Sequence, residues 1–245
     1  MRVWLSILLL FVMAAASVNG ADWFVDFEAG AAFSGYNDVR IPGDDGTKFS
    51  LTDDLESEIV PFARARLGTQ FRDRHAIELL VAPLDVTAEG KINKDIHFQN
   101  RIFPADTDLE ATFRFDSYRL TYRYTFVQRN QVQFGAGITG KIRDAEIGLS
   151  GGGQEAVKTN TGFVPLINFQ MVWRPTSSFG VLIDGDALAG PQGRAEDILI
   201  AALFKLGGSV EMKLGYRVLE GGADNDEVYT FSMFHYALAG LRVTW

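Results

Sequence analysis

The chain has 245 residues with 31 acidic against 23 basic side chains and a formal net charge of −8, a balance that argues against nucleic acid as a partner because phosphate binding rests on clustered Lys and Arg. It contains no cysteine, which excludes disulfide frameworks, thiolate metal sites, cysteine nucleophiles and a lipid-modified N-terminus. Apolar residues make up 47% and aromatics 12%, yet beyond the first twenty positions no apolar run approaches the roughly 20 residues of a helical membrane span.

The N-terminus reads as an export signal. Arg2 supplies the positive start, Val3 to Ala16 form an apolar stretch, and Val18 and Gly20 sit three and one positions before Ala21. A transmembrane anchor is the alternative, but the apolar run is short for one and the polar tail Ser17-Val18-Asn19-Gly20 follows it. Cleavage after residue 20 removes Arg2 and no acid, leaving 22 basic against 31 acidic side chains and a net charge of −9.

From there the hydrophobic period is two. Trp23, Val25, Phe27, Ala29, Ala31 and Phe33 alternate with Asp26, Glu28, Gly30 and Ser34, and Ala63, Ala65, Leu67 and Phe71 alternate with Arg64, Arg66, Gly68 and Gln70. In 76–92, Ile77, Leu79 and Val81 give way past Pro83 to Leu84 and Val86. In 108–126, Phe113 and Phe115 give way past Asp116-Ser117 to Tyr118, Leu120, Tyr122 and Tyr124. Each change of parity predicts a β-bulge. Further strands follow over 132–142 (Phe134, Ala136, Ile138), 163–174 (Ile167, Phe169, Met171, Trp173), 179–187, 197–205, 210–218 and 229–245. That makes ten. Short connections at 72–75, 128–130, 175–178 and 206–208 alternate with long polar ones at 42–56, 93–107, 149–160, 189–195 and 220–227.

An even number of alternating strands predicts an all-β chain, a closed antiparallel transmembrane barrel over 21–245, with apolar parity to lipid, charged parity to the lumen, short periplasmic turns and long extracellular loops. Outward aromatics support this: Trp23, Phe71, Phe126, Trp173, Phe179, Phe204 and Trp245 fall on the short-turn rim, and Phe33, Phe113, Phe163 and Tyr229 near the opposite one. A soluble β-sandwich or lipocalin-like barrel, with the two faces exchanged, is the alternative that alternation leaves open.

The signal, the alternating strands and a final strand ending Leu241, Val243, Trp245 resemble the outer-membrane β-barrel superfamily. The resemblance implies residence in the cell outer membrane, contact with its lipid, and delivery by periplasmic chaperones to the barrel-assembly machinery, with those three residues as the assembly signal. Phe234, Tyr236 and Leu238 on the inward parity and His235 on the outward one depart from the pattern.

The inward parity collects Asp26, Glu28, Glu78, Asp85, Glu89, Asp184, Asp186 and Glu211 together with Arg64, Arg66, Arg119, Arg123, Lys141, Arg143, Lys213, Arg217 and Arg242. Both signs in a narrow interior predict a salt-bridge network that fills the lumen, since charges removed from water need partners. The alternative is a narrow polar pore lined by the same groups. Lipid-modifying catalysis is a third reading, but the histidines are few: His75 in a turn, His97 in a loop and His235 in a strand, with Ser232 on the opposite strand face. Loop acids Asp53, Asp54, Glu56, Glu58, Asp224, Asp226 and Glu227 have the chemistry for Ca²⁺, although such loops are usually solvated. No cofactor or metal is expected, and the long loops are the place for an extracellular ligand. Gly151-Gly152-Gly153 is loop rather than phosphate cradle, because no Lys-Ser/Thr follows.

Overall fold

The computed structural model describes residues 21–191 and 193–245, which contain strands and no helix. The expected signal peptide, residues 1–20, lies outside the described residues. In chain order the strands are β1 (Ala21–Arg40), β2 (Phe49–Ser50), β3 (Glu56–Ser57), β4 (Val60–Phe71), β5 (His75–Ala82), β6 (Asp85–Lys91), β7 (Ile96–Phe98), β8 (Arg101–Phe103), β9 (Asp108–Gln128), β10 (Val132–Gly151), β11 (Gln154–Trp173), β12 (Phe179–Gly190), β13 (Gly193–Gly207), β14 (Val210–Asp224) and β15 (Tyr229–Thr244). With β5 and β6 as two halves of one stave, ten staves pair antiparallel with their sequence neighbours, and β1 closes on β15 from Phe24↔Thr244 to Arg40↔Tyr229. Closure pairs the backbone groups that an open sheet leaves bare.

Four short turns lie at one end. The first is forced through Arg72 and Asp73 at φ of 50° and 62°, the left-handed region. At the other end three of the five expected long loops are not loops. Segment 149–160 is hairpin, with Gly151 opposite Gln154 and a turn on Gly152 and Gly153, whose φ of 58° and 76° give the twist that suits a two-residue connection. Segments 189–195 and 220–227 likewise stay paired to Gly190↔Gly193 and Asp224↔Tyr229. Polar side chains made these stretches look like loops, but a ribbon in water tolerates polar residues on its outer face. The β10–β11 ribbon outruns its neighbour: β12 pairs with β11 only over Ile167–Trp173, so the upper half of β11 is a free sheet edge.

The two expected bulges are absent as well. Ala82↔Ser117 and Asp85↔Arg114 keep one register across Pro83 and Asp116, so no residue is inserted. Inward positions run unbroken through Glu78, Leu80, Ala82, Leu84, Val86 and Ala88, and through Leu109, Ala111, Phe113, Ser117, Arg119, Thr121 and Arg123. What changes at Pro83 is the surroundings. Below it the outward row is apolar and the inward row charged; above it the outward row is polar and the inward row apolar. The chemistry inverts while the geometry does not. Register shifts fall elsewhere, between Ser34 and Tyr36, at Phe134/Gly135 and between Lys205 and Gly207.

The upper interior is a conventional apolar core. The connections 42–56 and 93–107, expected to be polar loops, fold inward and bring Phe49, Leu51, Leu55, Ile96, Phe98 and Phe103 against Val39, Val86, Phe113, Leu149 and Phe234, all buried. Phe113 therefore leaves the expected aromatic rim. Phe234, Tyr236 and Leu238, the departures in the last strand, are buried inward residues of this core. His235 remains outward, stacked on Phe33 at 5.1 Å.

The outward belt below is apolar and bare: Ile138 is 68% and Phe163 70% exposed, and Leu120, Ile167, Ile200 and Leu241 stand in the same belt. An apolar surface this extensive belongs in lipid rather than water. At the short-turn rim the ends of the chain clasp each other, since Trp23 and Trp245 exchange N–H···O bonds of 2.9 Å in both directions. Deletion of Trp245 removes this clasp and the last outward aromatic. Fractionated cells should show the heat-modifiable full-length protein in the outer membrane and several-fold less of the truncated one, with fragments in the periplasm; equal inserted amounts would count against an assembly role.

Candidate functional site in the lumen

The lumen is filled in layers because inward side chains from facing staves are long enough to meet across a ten-strand interior. At the short-turn end a cavity of about 380 Å³ is open and polar, with Asp22, Gln70, Arg74, Gln133, Gln170 and Lys205 in its wall. Above it lies a charged layer, then the apolar core closed by the two folded-in connections.

The charged layer is two sets of ion pairs joined through Asn168, which accepts from Arg123 and donates to Asp186. Lys213 Nζ lies 2.6 Å from both Asp26 and Glu28. Arg217, 2% exposed, bridges Glu28 at 2.9 Å and Asp197 at 2.5 Å. Asp197 also takes Arg64 at 3.0 Å and Arg119 at 2.7 Å. Arg119 reaches on to Asp186 at 2.9 Å, and Asp186 accepts from Thr139 at 2.6 Å and from Asn168 at 2.9 Å. Arg66 joins Glu78 at 3.5 Å to Asp184 at 3.2 Å, and Arg123 bonds Glu78 and donates to Asn168 at 3.1 Å. Shared carboxylates, each held by two or three cations, are how so many ions stay ionised away from bulk water.

Small residues make room for this layer. A Cβ on Gly240 would fall 2.6 Å from Lys213 Cε, and one on Gly68 would fall 2.3 Å from Phe24 Cζ. Phe24 in turn carries the Arg242 guanidinium at 3.5 Å from its centroid, a cation–π contact near the short-turn end.

Not every expected member belongs. Asp85 and Glu89 are exposed on the outward row of β6, the consequence of the unbroken parity at Pro83. Glu211 sits low in the lumen, paired at 2.7 Å with Arg174. Arg143 lies at the upper edge, bonded to Asn160. Lys141 is buried beside the layer, its Nζ 4.5 Å from the Phe115 ring. Conversely, Asp197, which like Glu28 is shared by three cations, is not among the expected residues, nor are Asn168, Thr121 and Thr139. The signal for Asp197 is its parity: it shares an inward row with Leu199, Ala201 and Leu203, whose apolar character masks it.

The histidines are each engaged by a hydroxyl or a backbone carbonyl rather than by a carboxylate. His75 Nδ1 meets the Tyr122 hydroxyl at 2.8 Å, His235 Nδ1 the Tyr216 hydroxyl at 2.5 Å, and His97 Nδ1 the Asp45 carbonyl at 2.9 Å. Three of the seven loop acids are engaged within the chain, Asp224 by Arg40 at 3.9 Å. Asp54 accepts from the Ser50 N–H at 2.8 Å, Glu227 pairs with Lys158 at 3.0 Å, and no group of three metal-holding side chains comes together among the described residues. In the first connection Lys48 pairs with Asp38 at 2.8 Å, and that hydrogen-bonded carboxylate raises the ammonium pKa above its usual value.

No family model matches the chain, and no curated protein matches its sequence. Solved structures do match in shape. The outer membrane protease OmpT from Escherichia coli superposes with a TM-score of 0.60 at 7% identity, covering 94% of this chain and 100% of that one. Ail, the attachment invasion locus protein of Yersinia pestis, gives 0.42 at 10% identity with 91% and 99% covered, and Neisserial surface protein A gives 0.34 at 13% with 92% and 99% covered. At such identities the likeness is one of fold. Ten antiparallel staves closed by β1 on β15, with an apolar belt outside and charge within, give this chain the fold of the outer-membrane β-barrels.

Proposed function

We propose that the protein is exported to the outer membrane, stands there with its short turns in the periplasm, and acts as a structural or surface-interaction barrel rather than as a channel. The filled lumen carries this reading: a layer of ion-paired side chains lies beneath an apolar core in which Phe49, Phe98 and Phe103 are buried. A core of buried aromatic rings opposes a continuous polar path for water and ions. The part offered to the outside is the tall β9–β10–β11 wall with the free upper edge of β11.

The catalytic alternative has little to stand on. His75, His97 and His235 are oriented by tyrosine hydroxyls or a carbonyl, and a general base needs a carboxylate or a nucleophile within reach. OmpT is a protease, but a shared fold does not carry a reaction.

Planar-bilayer recording of the refolded full-length barrel tests the proposal. The expected record is flat, with no discrete steps. Steady, ion-selective conductance of the wild type would overturn the closed reading and favour a narrow pore lined by the same charges.

A further inference from the structure

Among the described residues three of the expected inward cations have no carboxylate within 4.0 Å: Arg143, which bonds Asn160, Arg242, which lies on the Phe24 ring, and Lys141. Asp26, Glu28, Glu78, Asp184, Asp186 and Asp197 are the acids, and Arg64, Arg66, Arg119, Arg123, Lys213 and Arg217 the cations that hold them. Lys141 is 3% exposed, and among the described residues no carboxylate lies within 4.0 Å of its Nζ and no acceptor takes a hydrogen bond from it. Its neighbour directly across β9 is Arg119, a like charge. The Phe115 face at 4.5 Å eases the burial, but a ring does not cancel a unit charge.

A buried lone ammonium has two remedies: it gives up its proton, or it takes in a counter-ion. Two further groups separate these. Ser117 is 2% exposed and its Oγ has no partner; Arg119 Nε is buried without one. The register puts Arg143 opposite Ser117 and Lys141 opposite Arg119, so Ser117, Arg119 and Lys141 share one patch of the inner wall. A neutral lysine nitrogen accepts one hydrogen bond through its single lone pair and so serves at most one of the two donors. An anion accepts from all three donors and balances the charge.

We propose that Lys141, Ser117 and Arg119 form a buried binding site for a small inorganic anion of halide size. It supplies the counter-charge that Lys141 lacks and joins the ion-paired layer to the apolar core above it. The site does not depend on whether the barrel conducts, so bilayer recording and the tests below fail separately.

Bromide is the probe. Full-length barrel refolded and crystallised in potassium bromide should show a bromine anomalous peak within hydrogen-bond distance of Lys141 Nζ, and Lys141→Met should lack it. In solution, raising bromide to about ten times its dissociation constant should lower the unfolding equilibrium constant about tenfold relative to gluconate at equal ionic strength. Lys141→Met should show no such dependence, and Ser117→Ala, which keeps the charge, should need more bromide for the same effect. A wild type with neither peak nor bromide dependence overturns the site and makes Lys141 a neutral amine. A peak that persists in Lys141→Met overturns it as an adventitious ion only. If Lys141→Met does not refold, the Ser117→Ala titration decides, and a curve identical to wild type counts against the proposal.

Discussion

Replacing Asp197 by Asn is expected to destabilise the barrel by roughly 3–5 kcal/mol, the range for removing one member of a buried ionic network. Asn keeps the shape but withdraws the charge from between Arg64 at 3.0 Å, Arg119 at 2.7 Å and Arg217 at 2.5 Å, and three guanidinium groups then face one another. Arg64 and Arg217 retain Glu28, and Arg119 retains Asp186, so the loss stops short of the whole layer. The measurement is the urea midpoint of refolded protein, with the temperature at which the compact gel band converts as a second reading. Glu89→Gln, an acid of the exposed outward row, is the control and should change stability by less than about 0.5 kcal/mol. An Asp197→Asn barrel as stable as that control would mean the cations re-pair freely and the layer is solvated filler.

The contrast between Asp197 and Glu89 also shows where the sequence is readable. In the belt, lipid outside and charge inside reinforce one another, so Ala65, Leu67, Leu79 and Leu120 on one parity and Arg64, Arg66, Glu78 and Arg119 on the other are legible as ten strands with their faces assigned. Above Pro83 that reinforcement ends. The outside is now polar and the inside apolar, so a reader who follows the apolar parity crosses to the wrong face without any bulge in the chain, taking Asp85 and Glu89 inward and Phe113 outward. The same inversion hides the hairpins at 149–160, 189–195 and 220–227, whose polar composition resembles loop. Asp197 is missed for the opposite reason. It lies one residue inside a row that is otherwise Leu199, Ala201 and Leu203, and its three cations come from β4, β9 and β14, up to 133 residues away in sequence. A partner set of that kind is a property of closure, which alternation within one strand does not encode.

Truncation of the upper core separates the two layers. Phe49 and Phe98 are 1% and 0% exposed and meet edge to face at 6.2 Å, and each Phe→Ala change in such a core costs about 3–5 kcal/mol. The loss falls first on the two folded-in connections. They are tied to each other by Thr47 N–H to the His97 carbonyl at 2.9 Å and by Gln99 N–H to the Ile41 carbonyl at 2.8 Å, bonds that have meaning only while the aromatic contact holds. The ladders of the belt run below them and share none of these bonds. The double variant Phe49→Ala with Phe98→Ala is therefore expected to open locally: protease added to intact cells should cut within 42–56 and 93–107, which the wild type resists, while the heat-modifiable gel shift is kept. On the closed reading conductance should stay absent, because the layer from Asp26 to Arg217 fills the lumen below the apolar core. A steady current in the double variant would make the apolar core the only barrier, and loss of the gel shift would show that the connections and the belt unfold as one unit.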